Sequence, residues 1–442
     1  AEGGKTRINY NGFVQTKKIA KRLDAMNTYD YVMSNYEYAL LKGSDALKSF
    51  ESNFGVYDDL DLYKYVGATN WQDDMFGANV LSQQHNVSIS GGTEKTNFLL
   101  SGTYDFNGGL MVNNDFSRYA FQFKLNHQIA KNLKFGLNAR VNDQTVNGSG
   151  TQGGTYKIRT SQAITSAATK GLSGFTTVDT SNMSDDEYEQ YIENNMSLSE
   201  QAQRYWKKQN TRGYNFNMSL DWTIIKGLIA HTEVGYGYGF KEIKDWWGST
   251  TTQASYVGGL PLADWTKTNT RTMREETNLT YNFKVNKDHN FNVMVGQEVS
   301  SGQSDYNYMY ATKYSKAYSA EDVFNNFGLY NGVSTLKSYV APNDNLSSFF
   351  GRINYNFKDK YLVALTARED GSSKFGPGNK WGFFPSAAIG WRIIEEPFMA
   401  NTKSWLSNLK LRFSYGEVGN DQISSTQYKT VYTLNSDTHR YG

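Results

Sequence analysis

Long runs in which every second residue is apolar constrain this chain most, because a strict period of two marks β-strands with one apolar and one polar face. Phe98, Leu100, Gly102, Tyr104 and Phe106 alternate with Asn97, Leu99, Ser101, Thr103 and Asp105. Tyr119, Phe121, Phe123 and Leu125 interleave with Ala120, Gln122, Lys124 and Asn126; after a short turn, Leu133, Phe135, Leu137, Ala139 and Val141 interleave with Lys134, Gly136, Asn138, Arg140 and Asn142. Such hairpins recur as Tyr214–Trp222 with Leu228–Tyr238, Thr277–Val285 with Phe291–Val299, Phe349–Phe357 with Tyr361–Ala367, and Phe383–Ile393 with Leu409–Tyr415. Adding Arg7–Val14, His85–Ser90 and Tyr428–Leu434, the pattern predicts about 14 strands and an all-β fold.

Composition narrows the environment of those strands. The longest uninterrupted apolar run is Tyr361–Leu365, whereas a membrane-spanning helix needs about 20 residues. Yet the chain carries 32 Tyr, 25 Phe and 9 Trp with only 5 Pro, at a mean hydropathy of −0.63. Aromatic-rich, hydrophilic and proline-poor chains suit long strands whose two faces meet different surroundings. With Lys plus Arg at 45 against 43 for Asp plus Glu, no basic excess points to nucleic acid. The absence of cysteine removes disulfides, thiolate metal sites and cysteine nucleophiles.

The connections sort by parity. Turns inside the hairpins are short, while Gln144–Arg212 and Ser301–Ser347 predict long loops on the other rim. Short turns on one rim and long loops on the other are the habit of a transmembrane antiparallel β-barrel. About 11 residues per strand, tilted near 40°, give roughly 28 Å of height, enough for its apolar band. On the apolar face Phe98, Phe135, Trp222, Phe283, Phe291, Phe357, Tyr361 and Trp391 lie beside the short turns, and Tyr104, Tyr119, Tyr214, Tyr236, Phe349 and Tyr415 beside the long loops. Leu100, Leu137, Leu220, Val234, Val295, Ile353, Leu365 and Ile389 form an aliphatic waist between them. Two aromatic girdles around such a waist are what rings do at two membrane interfaces; Phe121 and Phe123 depart from the pattern. Helices are expected within the long loops at Thr28–Leu41 and after Ser184, and a short one within Glu395–Ser407.

Chemistry-bearing motifs are sparse. No HExxH, GxSxG or P-loop occurs, and the GYGYGF stretch at 235–240 ends a strand rather than opening a helix. Neither Asp58, Asp59 and Asp61 nor the acidic run 184–193 has the spacing of a calcium loop. The reading is therefore no enzyme, no cofactor and no metal. Six cations on the polar strand face, Lys124, Arg140, Arg352, Arg368, Arg392 and Arg412, would line a barrel lumen. They would steer an anionic solute or pair with acidic neighbours. Trp206, Trp246, Trp247 and Trp265 are expected in or beside the long loops, where flat rings suit sugars, peptides or a partner protein.

Several long motifs carry a family resemblance. NWQDDMFG (70–77), HNVSISGGTEKTNFLLSGTYDFNGG (85–109), LTAREDGSSKFGPGNKWGFFPSAAIGWRIIEEPFM (365–399) and LSNLKLRFSYGEVGND (406–421) closely resemble the SusC/RagA-like TonB-linked outer-membrane transporters of Bacteroidota. The resemblance spans the chain in order. It implies a barrel of about 22 strands around a plug domain in the outer membrane of a Gram-negative bacterium, energised by TonB and capped by a SusD-like lipoprotein. The expected function is import of oligomeric nutrients, oligosaccharides first and peptides second; a non-transporting adhesin or structural barrel is the alternative. Residues 1–442 then read as part of the barrel, with the plug and the C-terminal strands outside them.

Overall fold

A computed structural model describes residues 4–77, 79–148, 166–175, 178–424 and 427–429. Their frame is one antiparallel sheet of fourteen strands. The strands are β1 (Gly4–Lys17), β2 (Val80–Gly92), β3 (Thr96–Gly108), β4 (Asp115–Ala130), β5 (Leu133–Asn147), β6 (Tyr205–Ile225) and β7 (Leu228–Trp247). Then come β8 (Leu262–Val285), β9 (His289–Thr312), β10 (Ser334–Val340), β11 (Asp344–Phe357), β12 (Tyr361–Ser372), β13 (Trp381–Trp391) and β14 (Leu411–Gly416). Each pairs with its sequence neighbours, except that β9 pairs with β11 along His289–Gly302 and with β10 along Asp305–Ala311.

Register holds the two faces apart across the whole sheet. One apolar row runs Leu125–Leu137–Met218–Val234 across β4 to β7, and another Leu279–Val295–Gly351–Ala367 across β8 to β12. A slip of one residue would invert every strand, so this continuity is the sheet's main specification. Large apolar side chains on this face are left open: Phe121 is 56% exposed, Val295 56% and Ile389 58%. Water would not tolerate so extended an apolar surface on a soluble protein. Opposite lie Gln122–Arg140–Asn215 and Asn282–Asn292–Asn354, directly paired in the alternate rows.

The short turns are built by residues that accept left-handed backbone. Lys358 and Asp359 both have φ near 55°, the arrangement of a two-residue turn that matches strand twist. Gly227 (φ 89°) and Asn286 (φ 65°) serve the β6–β7 and β8–β9 turns.

The strands of the long-loop rim extend further than alternation predicts. β6 to β9 reach 20–24 residues, taking over the ends of the loops expected at 144–212 and 301–347. Their upper halves carry Lys, Arg, Asn and Asp on both faces, so apolar contrast fades while the backbone ladder continues. The predicted strand at Tyr428–Leu434 is a turn at 428–429 and otherwise lies outside the described residues; β10, within an expected loop, makes up the fourteen. Helices appear where expected: Thr28–Lys42, capped by Asn27, Asp185–Asn195, capped by Ser184, and a short 3-10 helix at Pro397–Thr402; a further 3-10 turn at Ile393–Glu395 replaces the end of the strand expected to reach Ile393. Val32, Ala39, Phe50, Leu60 and Tyr63 join the first helix to its neighbours in a small core on that rim.

Candidate functional site: the polar face of the wall

The polar face divides into three zones. Across β3 to β6 it is mainly a field of amides, with Arg118 paired to Asp105 at 2.5 Å near the tall rim and two further cations below that pair. Lys124 stands between Leu99 and Asn138, and Arg140 between Gln122 and Asn215. Gln122 donates to Asn138 at 3.1 Å. Neither cation has a carboxylate within ion-pair range among the described residues. Amides around two cations that have no ion pair keep their donors available to a solute.

The second zone is an ionic belt across β7 to β12. Arg274 donates from Nε to Glu298 at 2.8 Å and from Nη2 to Glu276 at 2.5 Å, with Glu233 at 3.7 Å. Arg368 bonds Asp370 at 2.6 Å, reaches Glu298 at 3.3 Å and donates to buried Ser348 at 2.8 Å. Its guanidinium lies 5.5 Å from the centre of the Phe350 ring. Four carboxylates against two guanidiniums leave this wall net negative, opposite in sign to the β4–β5 zone.

At the short-turn rim the polar face forms a groove of about 1040 Å³. Asn292 donates to Asn282 at 2.7 Å and Asn354 to Asn292 at 3.0 Å, an amide ladder across three strands. Lys226, Lys284, Lys410 and Arg412 complete a lining that contains no carboxylate.

The six predicted cations therefore separate. Lys124, Arg140, Arg352 and Arg412 occupy polar-row positions with no ion pair among the described residues, Arg352 between Met294 and Thr366. Arg368 belongs to the belt. Arg392 follows the last residue of β13 and ties two turns together, donating to the Asp359 carbonyl at 3.0 Å and to Glu395 at 3.2 Å. Sequence reasoning missed Arg274, Glu233, Glu276 and Glu298. Arg274 was lost because β8 was begun at Thr277, and only extending the period-two count upward would have exposed it.

The eight aromatics named beside the short turns all lie on the apolar face. Phe283 and Phe291 stack at 5.0 Å, Phe291 and Tyr355 at 4.8 Å, and Phe357 and Tyr361 at 6.2 Å. Phe98 pairs with Leu125, Phe135 with Leu220, Trp222 with Ala230, and Trp391 with Tyr361. Glu396 braces the last pair, accepting from the Tyr361 hydroxyl at 2.8 Å and the Trp391 indole at 3.1 Å, with Lys360 at 3.2 Å. These donors, Tyr361 first, hold its carboxyl below the ordinary range.

The tryptophans differ from their expected role. Trp206 is in β6, Trp246 and Trp247 in β7 and Trp265 in β8. Trp246 is 6% exposed, packed with Ala263, Ala311, Tyr314 and Phe324, while Trp247 lies against Tyr205 and Leu262. The buried rings of Trp246 and Trp247 hold the tall rim together, while Trp206 and Trp265 are only partly buried against it. Among the described residues no three His, Asp or Glu side chains converge to hold a metal ion.

Residues 167–438 match the sequence profile of the family described as TonB dependent receptor-like, beta-barrel. The chain belongs to this TonB-dependent receptor barrel family. TonB-dependent receptor P3 of Formosa agariphila is 28% identical over 91% of the chain and 40% of its own length. TonB-dependent receptor SusC of Bacteroides thetaiotaomicron is 27% identical over 98% of the chain and 41% of its own length. The chain thus spans about two fifths of the curated relatives it matches. Among solved structures, that of the RagAB peptide transporter superposes with a TM-score of 0.76, covering 98% of this chain and 50% of the other at 20% identity. That likeness is one of fold: the fourteen-stranded sheet follows the course of half of that chain.

Proposed function

We propose that these residues form the greater part of the wall of an outer-membrane, TonB-dependent importer of oligomeric nutrients. The observation that carries this reading is the register that, below the tall rim, separates an exposed apolar face from a polar one from strand to strand across the sheet. The apolar face meets lipid and the polar face lines the passage. The remaining strands and a plug are supplied by sequence beyond these residues, in keeping with the two-fifths coverage of the relatives. A SusD-like lipoprotein covers the long-loop rim, and TonB drives opening from the other side.

Oligosaccharides are the first cargo reading. Neutral amides on β4 to β6, Gln122, Asn138, Asn142, Asn215 and Asn217, offer paired donors and acceptors of the kind hydroxyl-rich solutes need. Peptides are the second reading, favoured by the likeness to the RagAB peptide transporter. The test uses the full-length protein in cells, with Lys124 and Arg140 both replaced by Gln. Uptake of labelled oligosaccharides and of labelled peptides is measured beside the amount of folded barrel. Loss of uptake of one class at unchanged abundance supports the reading and identifies the cargo. Loss of abundance alone, or uptake of neither class by the unaltered protein, overturns it.

A further inference from the structure

The tall rim carries a cation cluster on the side of the sheet that faces lipid lower down. On β6 the apolar row Trp222, Leu220, Met218, Phe216 and Tyr214 continues upward as Arg212, Asn210 and Lys208. On β7 the corresponding row ends in Glu242 and Lys244, and on β8 in Lys267 and Trp265. Fourteen residues separate Trp222 from Lys208 along β6. At about 3.4 Å each and a tilt near 40°, Lys208 stands roughly 36 Å above the lower girdle, some 10 Å beyond an apolar band of about 25 Å.

Within this cluster the charges are arranged against one another. Lys208 is directly opposite Lys244 in the ladder, a like-charge cross-strand pair that costs stability on its own. Lys208 has no carboxylate within ion-pair range among the described residues. Lys244 and Lys267 share a single carboxylate, Glu242, at 4.0 Å each. That carboxylate already accepts from the Trp265 indole at 2.8 Å. Trp265 holds both ammonium groups in place, with Lys267 3.8 Å and Lys244 4.8 Å from its ring centre; Phe324 supports Lys244 at 5.4 Å. The two lysines are 35% and 22% exposed, so they are positioned yet open to a ligand. Three ammonium groups, one occupied carboxylate and an aromatic floor are unfavourable without an external anion and well formed for one.

We propose that Lys208, Lys244 and Lys267 bind a phosphorylated saccharide of the outer-leaflet glycolipid. The anion is a glycolipid phosphate because the cluster lies on the lipid-facing side, one saccharide layer above the hydrocarbon. This inference rests on the outer-membrane reading above. The full-length protein is extracted from outer membranes, washed in glycolipid-free detergent, and the retained glycolipid counted by native mass spectrometry. Purified lipopolysaccharide, enzymatically dephosphorylated lipopolysaccharide and inorganic phosphate are then added back. The K208Q/K244Q/K267Q protein should retain about tenfold less glycolipid than the unaltered protein, while K284Q/K410Q, altered at the short-turn groove, should retain as much. Unchanged retention in the triple variant overturns the proposal, as does equal binding of the dephosphorylated form or of inorganic phosphate. Loss of a co-purifying lipoprotein with glycolipid retained would reassign the patch to a protein interface and equally overturn it. Membrane fractionation of the same cells separates the two readings: absence from the outer membrane defeats the location reading, whereas presence there without phosphate-dependent retention defeats this one alone.

Discussion

At the scale of single residues, Glu396 and Arg274 act as clamps of opposite sign. Glu396 is held ionised below the ordinary carboxylate range by Tyr361, Trp391 and Lys360. A depressed pKa contributes stability that is present above the ordinary value and lost as pH falls through the folded one. The full-length barrel should therefore become easier to unfold as pH drops below the carboxylate range, and Glu396→Gln should flatten that dependence; unfolding midpoints against pH measure it. Arg274 instead pairs with three carboxylates, of which Glu298 has a side chain only 14% exposed. Replacing it by Met should cost about 1–2 kcal/mol, below the figure for a fully buried pair because the guanidinium is 44% exposed. Adding Glu298→Gln should return part of that loss. Urea unfolding of the single and double variants checks both, and a double variant weaker than the single would refute the belt as described. The sequence named Arg368 but not Arg274, because a residue's face is legible only once its strand is known to extend that far.

At the scale of the element, adjacent positions on one strand should respond in opposite ways to the same substitution. Met218 is half exposed on the apolar face between Leu137 and Val234, and Ser219 faces the polar side between Gly136 and Glu233. Met218→Arg should cost about 2–4 kcal/mol, the depth-dependent penalty for a guanidinium at the lipid face, whereas Ser219→Arg, beside Glu233, should stay within about 1 kcal/mol. Equal losses in reversible unfolding from bilayers would mean that the faces are wrongly assigned. The strands were legible where their two faces meet different media, which is why each hairpin core was found at its alternating stretch. They were not legible above the band, where Lys208, Asn210 and Arg212 share β6 with Lys207, Gln209 and Thr211 and no contrast remains. β10 was missed for the same reason: its seven residues are nearly all exposed, and its partner β9 supplies the only cue to its pairing. The tryptophans do lie beside the long loops, at the upper ends of β6 to β8, but aromatic residues next to polar sequence read equally as loop platforms or as the core of a tall sheet; only packing, as of Trp246 against Tyr314 and Phe324, decides.

At the scale of the whole molecule, the path of the sheet runs from β1 to β14 without joining its ends. β1 therefore presents a fourteen-residue edge, Gly4–Lys17, whose outward backbone groups have no strand partner among the described residues. In hydrocarbon an unpaired edge costs several kcal/mol for each unsatisfied group, so a membrane wall is stable only when its edges are closed. If sequence beyond these residues supplies the missing strands, closure and not local strand propensity sets the stability of this segment. Residues 1–442 refolded alone into detergent should then give aggregates or heat-labile species, while the full-length protein gives a monomeric barrel that resists dodecyl sulfate until heated. Mixing the segment with a separately expressed remainder of the full-length chain should restore heat-resistant migration if the edges find each other. A monomeric, heat-resistant barrel formed by residues 1–442 alone would show that β1 and β14 close on one another and would remove the case for further strands. The polar face would then enclose a narrower passage, and the opposed charges of the β4–β5 zone and the ionic belt would face each other across it.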